Sequence, residues 1–413
     1  MKVSEEVVRK KDADGKKAGR QLGKKIGEHE FGFLFVSPHF KDIEGLVRGF
    51  DDQADVENYI GATTCGEISS EGSTNDAAVF LGVASDEIDF SVGKSDKGYS
   101  APREAGKEAI NRAQSDNFPQ EEKNNLVYTI TPGPTLNKEN KDTDVLKGIL
   151  SEAGDVSVVG GSAGDDYALK NTYQIMNGEI SNSMVVTATI TTEKRIETGK
   201  EHGFTDRKVT GLVTETEGHE LKKVGDKPAA EFYADAIDVN RKELARPLDV
   251  SVSKQLKMLP RIVYSKLTGK DPIVPKKVFE YSLDHAFADE VGNDLRILTP
   301  YDVTDEGGLI LNTEISENKA IYVVQGDRDQ IIGAAEDIFE EDNSEESFAV
   351  INDCSARNMM LDDDELEDEV SRIEESINGP LVGFYGMGEI GGKNKELCTV
   401  QNSTVSGFMI CQN

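Results

Sequence analysis

Three short segments carry the same chemistry at the same spacing. Each runs small residue, any residue, glycine, carboxylate: Thr64-Cys65-Gly66-Glu67, Ser162-Ala163-Gly164-Asp165 and Gly386-Met387-Gly388-Glu389. Each follows an apolar run, namely Tyr59-Ile60-Gly61, Val156 to Gly161, and Leu381 to Tyr385. Glycine permits a positive φ and lets another atom come close to the backbone. A carboxylate just past such a turn is an acceptor at a strand end, where polar groups converge in layered α/β folds. Three such turns in one chain point to a repeated, ligand-facing device.

Other residues suggest reactions. Gly160-Gly161-Ser162-Ala163-Gly164 satisfies the GxSxG nucleophile pattern, but that elbow needs a helix after the serine and a partnering histidine. A hairpin is expected after Ser162, and His202, His219 and His285 are each isolated in sequence. Gly386 to Gly391 satisfies GxGxxG, yet the chain soon reaches the apolar Leu397 to Val400 and has no room for the rest of a dinucleotide fold. Cys354 stands three residues before Arg357. It is either a thiolate activated by a nearby cation or a small buried residue beside an anion-gripping arginine. The second reading is favoured, because no histidine base lies nearby in sequence. No carboxylate or histidine cluster has metal-ligand spacing, so neither metal nor cofactor is expected.

The elements that must position these residues read as follows. Lys16 to Leu22 predicts a helix, Phe31 to Val36 a strand ended by Ser37-Pro38, and Ala77 to Val83 and Ile88 to Val92 two strands. Pro102 opens a helix; Leu126 to Ile130 is a strand stopped at Thr131-Pro132-Gly133-Pro134; Val145 to Leu150 suits a helix ending at Gly154. Thr172 to Met176, Asn177-Gly178 and Met184 to Ile190 read as a hairpin with a type I′ turn. Near Gly225 the pattern restarts, with Pro228 opening a helix. Phe348 to Asn352, the stripe Leu361, Leu366, Val370, Ile373, Ile377, and Leu381 to Tyr385 form a βαβ unit, which sets Cys354, Arg357 and Glu389 near one edge. The expected architecture is α/β (α+β), two domains of mixed sheets flanked by helices. The divisions are a polar, partly helical lead-in over 1–29, a domain over 30–225 and a second over 226–413.

Composition bounds the setting. The 413 residues include 16 Phe and 11 Tyr, enough for two or three cores. Against 46 basic residues stand 77 acidic ones, a net charge of −31. Such a surface repels nucleic acid and anionic membrane and stays soluble where salt screens it, as in a halophile's cytoplasm. No run approaches the ~20 apolar residues of a membrane span. Four cysteines without CxxC spacing suggest reduced thiols. The basic stretch Lys254 to Lys277 reads as a solvated connector or, more sharply, as a docking segment for an acidic partner.

These motifs, in order, resemble the FIST family, sensory proteins with paired FIST N and FIST C domains, here of haloarchaeal type. Ile60 to Ile68 is similar to that family's G-x-x-T-x-G-E turn, Val159 to Asp166 to its second glycine turn, and His202-Gly203-Phe204 to its H-G-[WF] step. Cys354 to Arg357 resembles its C-x-x-R turn, Gly383 to Ile390 its G-[FY]-x-x-x-G-E-[IF] turn, and Asn402-Ser403-Thr404 its final N-x-T. The resemblance implies a cytoplasmic sensor that binds a small molecule, with amino acids as the ligand class, and relays this to a signalling protein. In that reading Arg357 grips a ligand carboxylate and Glu389 an amino group, while Ser355 and Asn402 complete the orientation. Thr64, Gly66, Glu67, Ser162, Gly164 and Asp165 serve the N-terminal half, Glu67 and Asp165 either as acceptors or as caps of their turns. The alternative is a hydrolase or acyl-transfer enzyme using Cys354 or Ser162.

Overall fold

A computed structural model describes residues 1–115, 118–135, 139–247, 276–292, 294–339, 346–392 and 397–412. The basic stretch from Lys254 to Pro275 lies outside the described residues. The chain forms two compact units. The first comprises Met1–Glu201, Ala335–Val400 and Val405–Asn413; the second comprises His202–Ala334 and Gln401–Thr404. This partition differs from a linear split near Gly225, because strands from the two ends of the chain pair with one another.

The first unit is one module written three times. Module one contains β1 (Lys2–Arg9), α1 (Lys16–Ile26), β2 (Glu28–Val36), α2 (Ile43–Asp51), β3 (Asp55–Thr63), the hairpin β4 (Glu67–Ser69) and β5 (Gly72–Thr74), and β6 (Ala77–Ala84). Module two repeats the order: β7 (Ile88–Ser95), α3 (Pro102–Ala113), β8 (Asn124–Thr131), α4 (Asp142–Glu152), β9 (Ser157–Ser162), the hairpin β10 (Gln174–Met176) and β11 (Glu179–Ser181), and β12 (Val185–Thr192). Module three opens with β13 (Arg195–Glu201).

Where the first helix of module three would stand, the chain instead builds the second unit. Its strands are β14 (Asp206–Glu217), β15 (Glu220–Val224), β16 (Lys227–Pro228), β17 (His285–Val291), β18 (Asp294–Leu298), β19 (Pro300–Val303), β20 (Leu309–Leu311) and β21 (Ala320–Gln325). They form one antiparallel eight-stranded sheet. The helices Ala229–Ala236 and Lys277–Asp284 share a core with it through Tyr233, Val278, Phe287 and Val323. Module three then resumes with β22 (Glu346–Cys354), α5 (Ser355–Met360), α6 (Asp363–Glu375), β23 (Leu381–Gly386), the pair β24 (Glu389–Gly391) and β25 (Thr399–Gln401), and β26 (Val405–Gln412).

Each module makes a four-stranded core of the same connectivity. β2–β3, β8–β9 and β22–β23 are parallel; β6, β12 and β26 run antiparallel to the first strand of each pair and carry β1, β7 and β13 on their outer side. The sheets are completed by exchange. β4–β5 joins the sheet of module three through β23, β10–β11 joins that of module one through β3, and β24–β25 joins that of module two through β9. The exchange closes a ring.

Strand alternation explains the layering. Phe31, Phe33 and Phe35 of β2, Tyr128 and Ile130 of β8, and Phe348 and Val350 of β22 point into one shared core. The alternate residues Leu34 and Val36 meet Leu22, Leu46 and Phe50 of α1 and α2. Val127 and Val158 likewise meet Ala109, Val145 and Ile149 of α3 and α4.

Several sequence expectations change. The first 29 residues are part of module one rather than a lead-in, since β1 pairs with β6 along its length. Asn177 (φ 46°) and Gly178 (φ 79°) do make the expected turn, but its returning strand is the short β11, while Val185–Thr192 belongs to another sheet. Cys354 to Arg357 is the start of a helix, with Cys354 at its N-cap. Among the described residues, no helix is long and apolar enough to cross a membrane.

Candidate functional site

The three glycine turns occupy equivalent places, each after the second strand of a parallel pair, and the first unit brings them together. Cys65 N–H donates to Tyr385 O at 2.8 Å, and Tyr385 N–H returns a bond to Gly66 O at 2.9 Å. Ser162 N–H donates to Gly388 O at 2.9 Å and Met387 N–H to Ser162 O at 3.0 Å. Gly164 N–H reaches Thr63 O at 2.8 Å, and Asp166 N–H reaches Thr64 O at 3.1 Å. Gly66 (φ 144°) and Gly388 (φ 156°) hold a backbone shape that side chains disfavour. Gly164 is needed for proximity instead: a Cβ there would lie 2.5 Å from Cys65 Sγ and 2.7 Å from its backbone N.

The three carboxylates have diverged. Glu67 is wholly buried; the Thr64 hydroxyl donates to it, as does Ala77 N–H at 3.1 Å. Burial outweighs these bonds and pushes its carboxyl up to about 8. Asp165 caps its own loop, accepting from the N–H groups of Leu169 (2.8 Å), Lys170 (2.6 Å) and Asn171 (3.1 Å). That is the capping alternative. Glu389 is wholly buried at the start of β24 and adds its charge to the field on Asp353.

Arg357 departs from its expected use. Its side chain is fully buried, with Nε 3.1 Å from Asp353 Oδ1 and 3.0 Å from Glu369 Oε1, and Nη2 bonded to Glu369 as well. The charge that was to grip a ligand carboxylate is thus held by two carboxyl groups of the chain, which tie β22 and α5 to α6. Burial lowers the affinity of Arg357 for its proton, but Glu369 and Asp353 outweigh that and raise it. Asp353 sits well above the ordinary carboxyl range, first through burial and then through the neighbouring Glu369 charge.

Around this triad lies a polar and sulfur-bearing shell. Tyr167, at φ 63°, bonds through its hydroxyl to Ser355 O at 2.7 Å and Asn358 Oδ1 at 3.1 Å. The Cys65 thiol donates to Met387 Sδ at 3.5 Å, and Ser355 Oγ donates to the same sulfur at 3.6 Å. His39 Nε2 lies 2.7 Å from Asp166 Oδ2. Cys354 Sγ accepts from Ala356 N–H at 3.4 Å. Burial pushes the Cys65 thiol up to about 12, away from thiolate chemistry. Ser162 donates to Asp142, a buried acid that also takes the Tyr99 hydroxyl, and accepts from Thr131 Oγ1 at 3.2 Å. Among the described residues, no group of three or more His, Cys, Asp or Glu could hold a metal ion.

Thr64, Gly66, Glu67, Ser162, Gly164, Asp165, Cys354, Ser355, Arg357 and Glu389 therefore all belong to the first unit. Asn402 does not: it is part of the second unit, where its Oδ1 accepts from Thr313 Oγ1 at 3.0 Å. The sequence reading missed Asp353, Glu369, Tyr167, Asn75, Asn358, Met387 and His39. Glu369 had a signal, since an acid between Leu366 and Ile373 stands inside the apolar stripe of α6. Asp353, four residues before Arg357, had another.

With the geometry in place, comparison with known proteins is informative. The chain is 21% identical to an uncharacterized protein of Methanocaldococcus jannaschii over 384 residues, which span 91% of this chain and 69% of that protein. The FIST N domain model matches residues 2–227, and the FIST C domain model matches residues 229–392. FIST domains are associated with sensing in signal transduction. Matched by both models in succession, the chain belongs to the FIST family.

Proposed function

We propose that the first unit is a sensor for small zwitterions of the amino-acid type, bound where the three glycine turns meet, and that occupancy is relayed to a signalling protein. The observation that carries this reading is the charge balance at the junction. Among the described residues of the first unit, the buried lysines and arginines are Lys194 and Arg357, against the buried acids Glu67, Asp142, Asp165, Asp166, Asp353, Glu369 and Glu389, of which Glu67, Asp142 and Asp353 are pushed toward the neutral form by burial. Arg357 is already matched by Glu369. Glu389, one residue past the φ 156° glycine, is the carboxylate best placed to receive an ammonium group. The ligand's own carboxylate is left to backbone N–H groups of the turns rather than to Arg357.

Titration calorimetry at high salt tests this with three sets of compounds: amino acids, amines lacking a carboxylate, and carboxylates lacking an amine. Amino acids are expected to bind, and Glu389→Gln to weaken them about tenfold or more, the loss of one charge-assisted contact. Equal binding by amine-free carboxylates, or affinity unaltered in Glu389→Gln, would sink the reading.

A further inference from the structure

The hairpin β4–β5 pairs Glu67 with Thr74, so Gly66 and Asn75 flank its open end. A Cβ on Gly66 would stand 2.7 Å from Asn75 Oδ1 and 3.2 Å from Asn358 Nδ2. Two amide ends from different parts of module one and module three thus face the same point beside a glycine. Asn358 is 6% exposed, and its Oδ1 takes the Tyr167 hydroxyl at 3.1 Å, which turns Nδ2 toward Gly66. Asn75 is half-buried, with its backbone carbonyl fixed by Ser37 Oγ at 2.7 Å. Neither Asn75 Oδ1 nor Asn358 Nδ2 has a hydrogen-bond partner among the described residues, though both atoms are buried. Buried polar atoms rarely stay unmatched, because each then loses its bond to water without replacement.

We infer that these two amide ends form a subsite for a primary carboxamide on the ligand. The subsite offers one acceptor, Asn75 Oδ1, and one donor, Asn358 Nδ2. A carboxamide presents an N–H and a C=O side by side and satisfies both. A carboxylate would set a second acceptor against Asn75 Oδ1, and an ammonium would leave Asn358 Nδ2 unmatched. Gly66 lets both amide ends and the Tyr385 ring close in on its Cα, where a side chain would collide with them. The inference rests on the proposed amino-acid reading and narrows it to amide-bearing amino acids over their acidic counterparts.

The experiment is calorimetry of the full chain with L-glutamine and L-asparagine against L-glutamate and L-aspartate, repeated in Asn358→Asp, Asn75→Ala and Glu389→Gln, with thermal melting to verify folding. At least one amide is expected to bind about tenfold or more tightly than its acid, the discrimination of one mismatched buried pair. Asn358→Asp should abolish that preference, and Asn75→Ala, at a more exposed position, should reduce it. Amides and acids binding equally, and weakening together in Glu389→Gln, would overturn the subsite while leaving the amine reading intact. Binding by none of the four would overturn the amine reading. The subsite would then be judged by propionamide, which should shift side-chain amide NMR signals that Asn358→Asp lacks. No shift would mean that water alone fills the place, and the inference falls.

Discussion

Glu67→Gln gives a direct reading of the electrostatics where the turns meet. Glu67 is fully buried, and its carboxyl is raised from 4.5 to about 8. In the unfolded chain the group ionises near its ordinary value, so between those limits the folded state holds a proton that the unfolded state has lost. Stability therefore falls as pH rises across that window, and the contribution present below pH 4.5 is gone above pH 8. Each unit is worth about 1.4 kcal/mol, so the raised value corresponds to roughly 5 kcal/mol in all. Glutamine imitates the protonated acid: its oxygen can accept from Ala77 N–H and its amide can donate to Thr64 Oγ, and it does not titrate. The variant should gain on the parent by roughly 4 kcal/mol between pH 5 and pH 8 and no further above that. Urea unfolding at fixed high salt measures this, followed by circular dichroism because the chain has no tryptophan. A difference that stays flat from pH 5 to pH 8 would refute the argument.

Other outcomes follow from the same geometry. Arg357→Met strands Glu369 and Asp353 in the interior and should destabilise the first unit by about 3–5 kcal/mol; an unchanged melting temperature would show that the triad is not a structural tie. Gly164→Ala drives a Cβ into Cys65 and should cost about 2 kcal/mol or more, whereas Gly72→Ala, which meets nothing within 4 Å, should cost about 1 kcal/mol through its φ of 98° alone. Urea midpoints in the reverse order would contradict the account of the turns. All four cysteines are buried and Cys65 is held as a thiol, so an aromatic disulfide reagent at pH 8 should label the native protein slowly and the urea-unfolded protein at four sites. Rapid labelling of one native cysteine would restore the nucleophile reading.

The sequence showed the site's punctuation better than its interior. The glycine turns, the strands before them and the final βαβ unit were legible because φ > 0, strand ends and a helical stripe are local properties. That the three turns meet was not, because it depends on hairpins pairing with sheets whose other strands lie far along the chain, as β4 does with β23. Local pattern also could not choose between β11 and β12 as the partner of β10, since both follow the same Asn177-Gly178 turn. Arg357 misled because its anion comes from Glu369 on the next helix, and spacing alone does not separate a protein carboxylate from a ligand's. Asn75 had no signal at all: a single asparagine after a short strand is ordinary turn chemistry.

The cyclic exchange of hairpins bears on how the chain is made. On the ribosome, module one emerges with β4 lacking β23, and module two with β9 lacking β24. β13 then waits for β26, the last strand, while the whole second unit is being synthesised. Exposed strand edges are templates for wrong pairing, and unpaired edges in a nascent chain invite aggregation. Completion of the ring thus waits for β23, β24 and β26, long after the strands they pair with have been made. A translation product truncated before β22 would keep those edges open, and we expect it to be held by chaperones rather than released as a smaller folded protein.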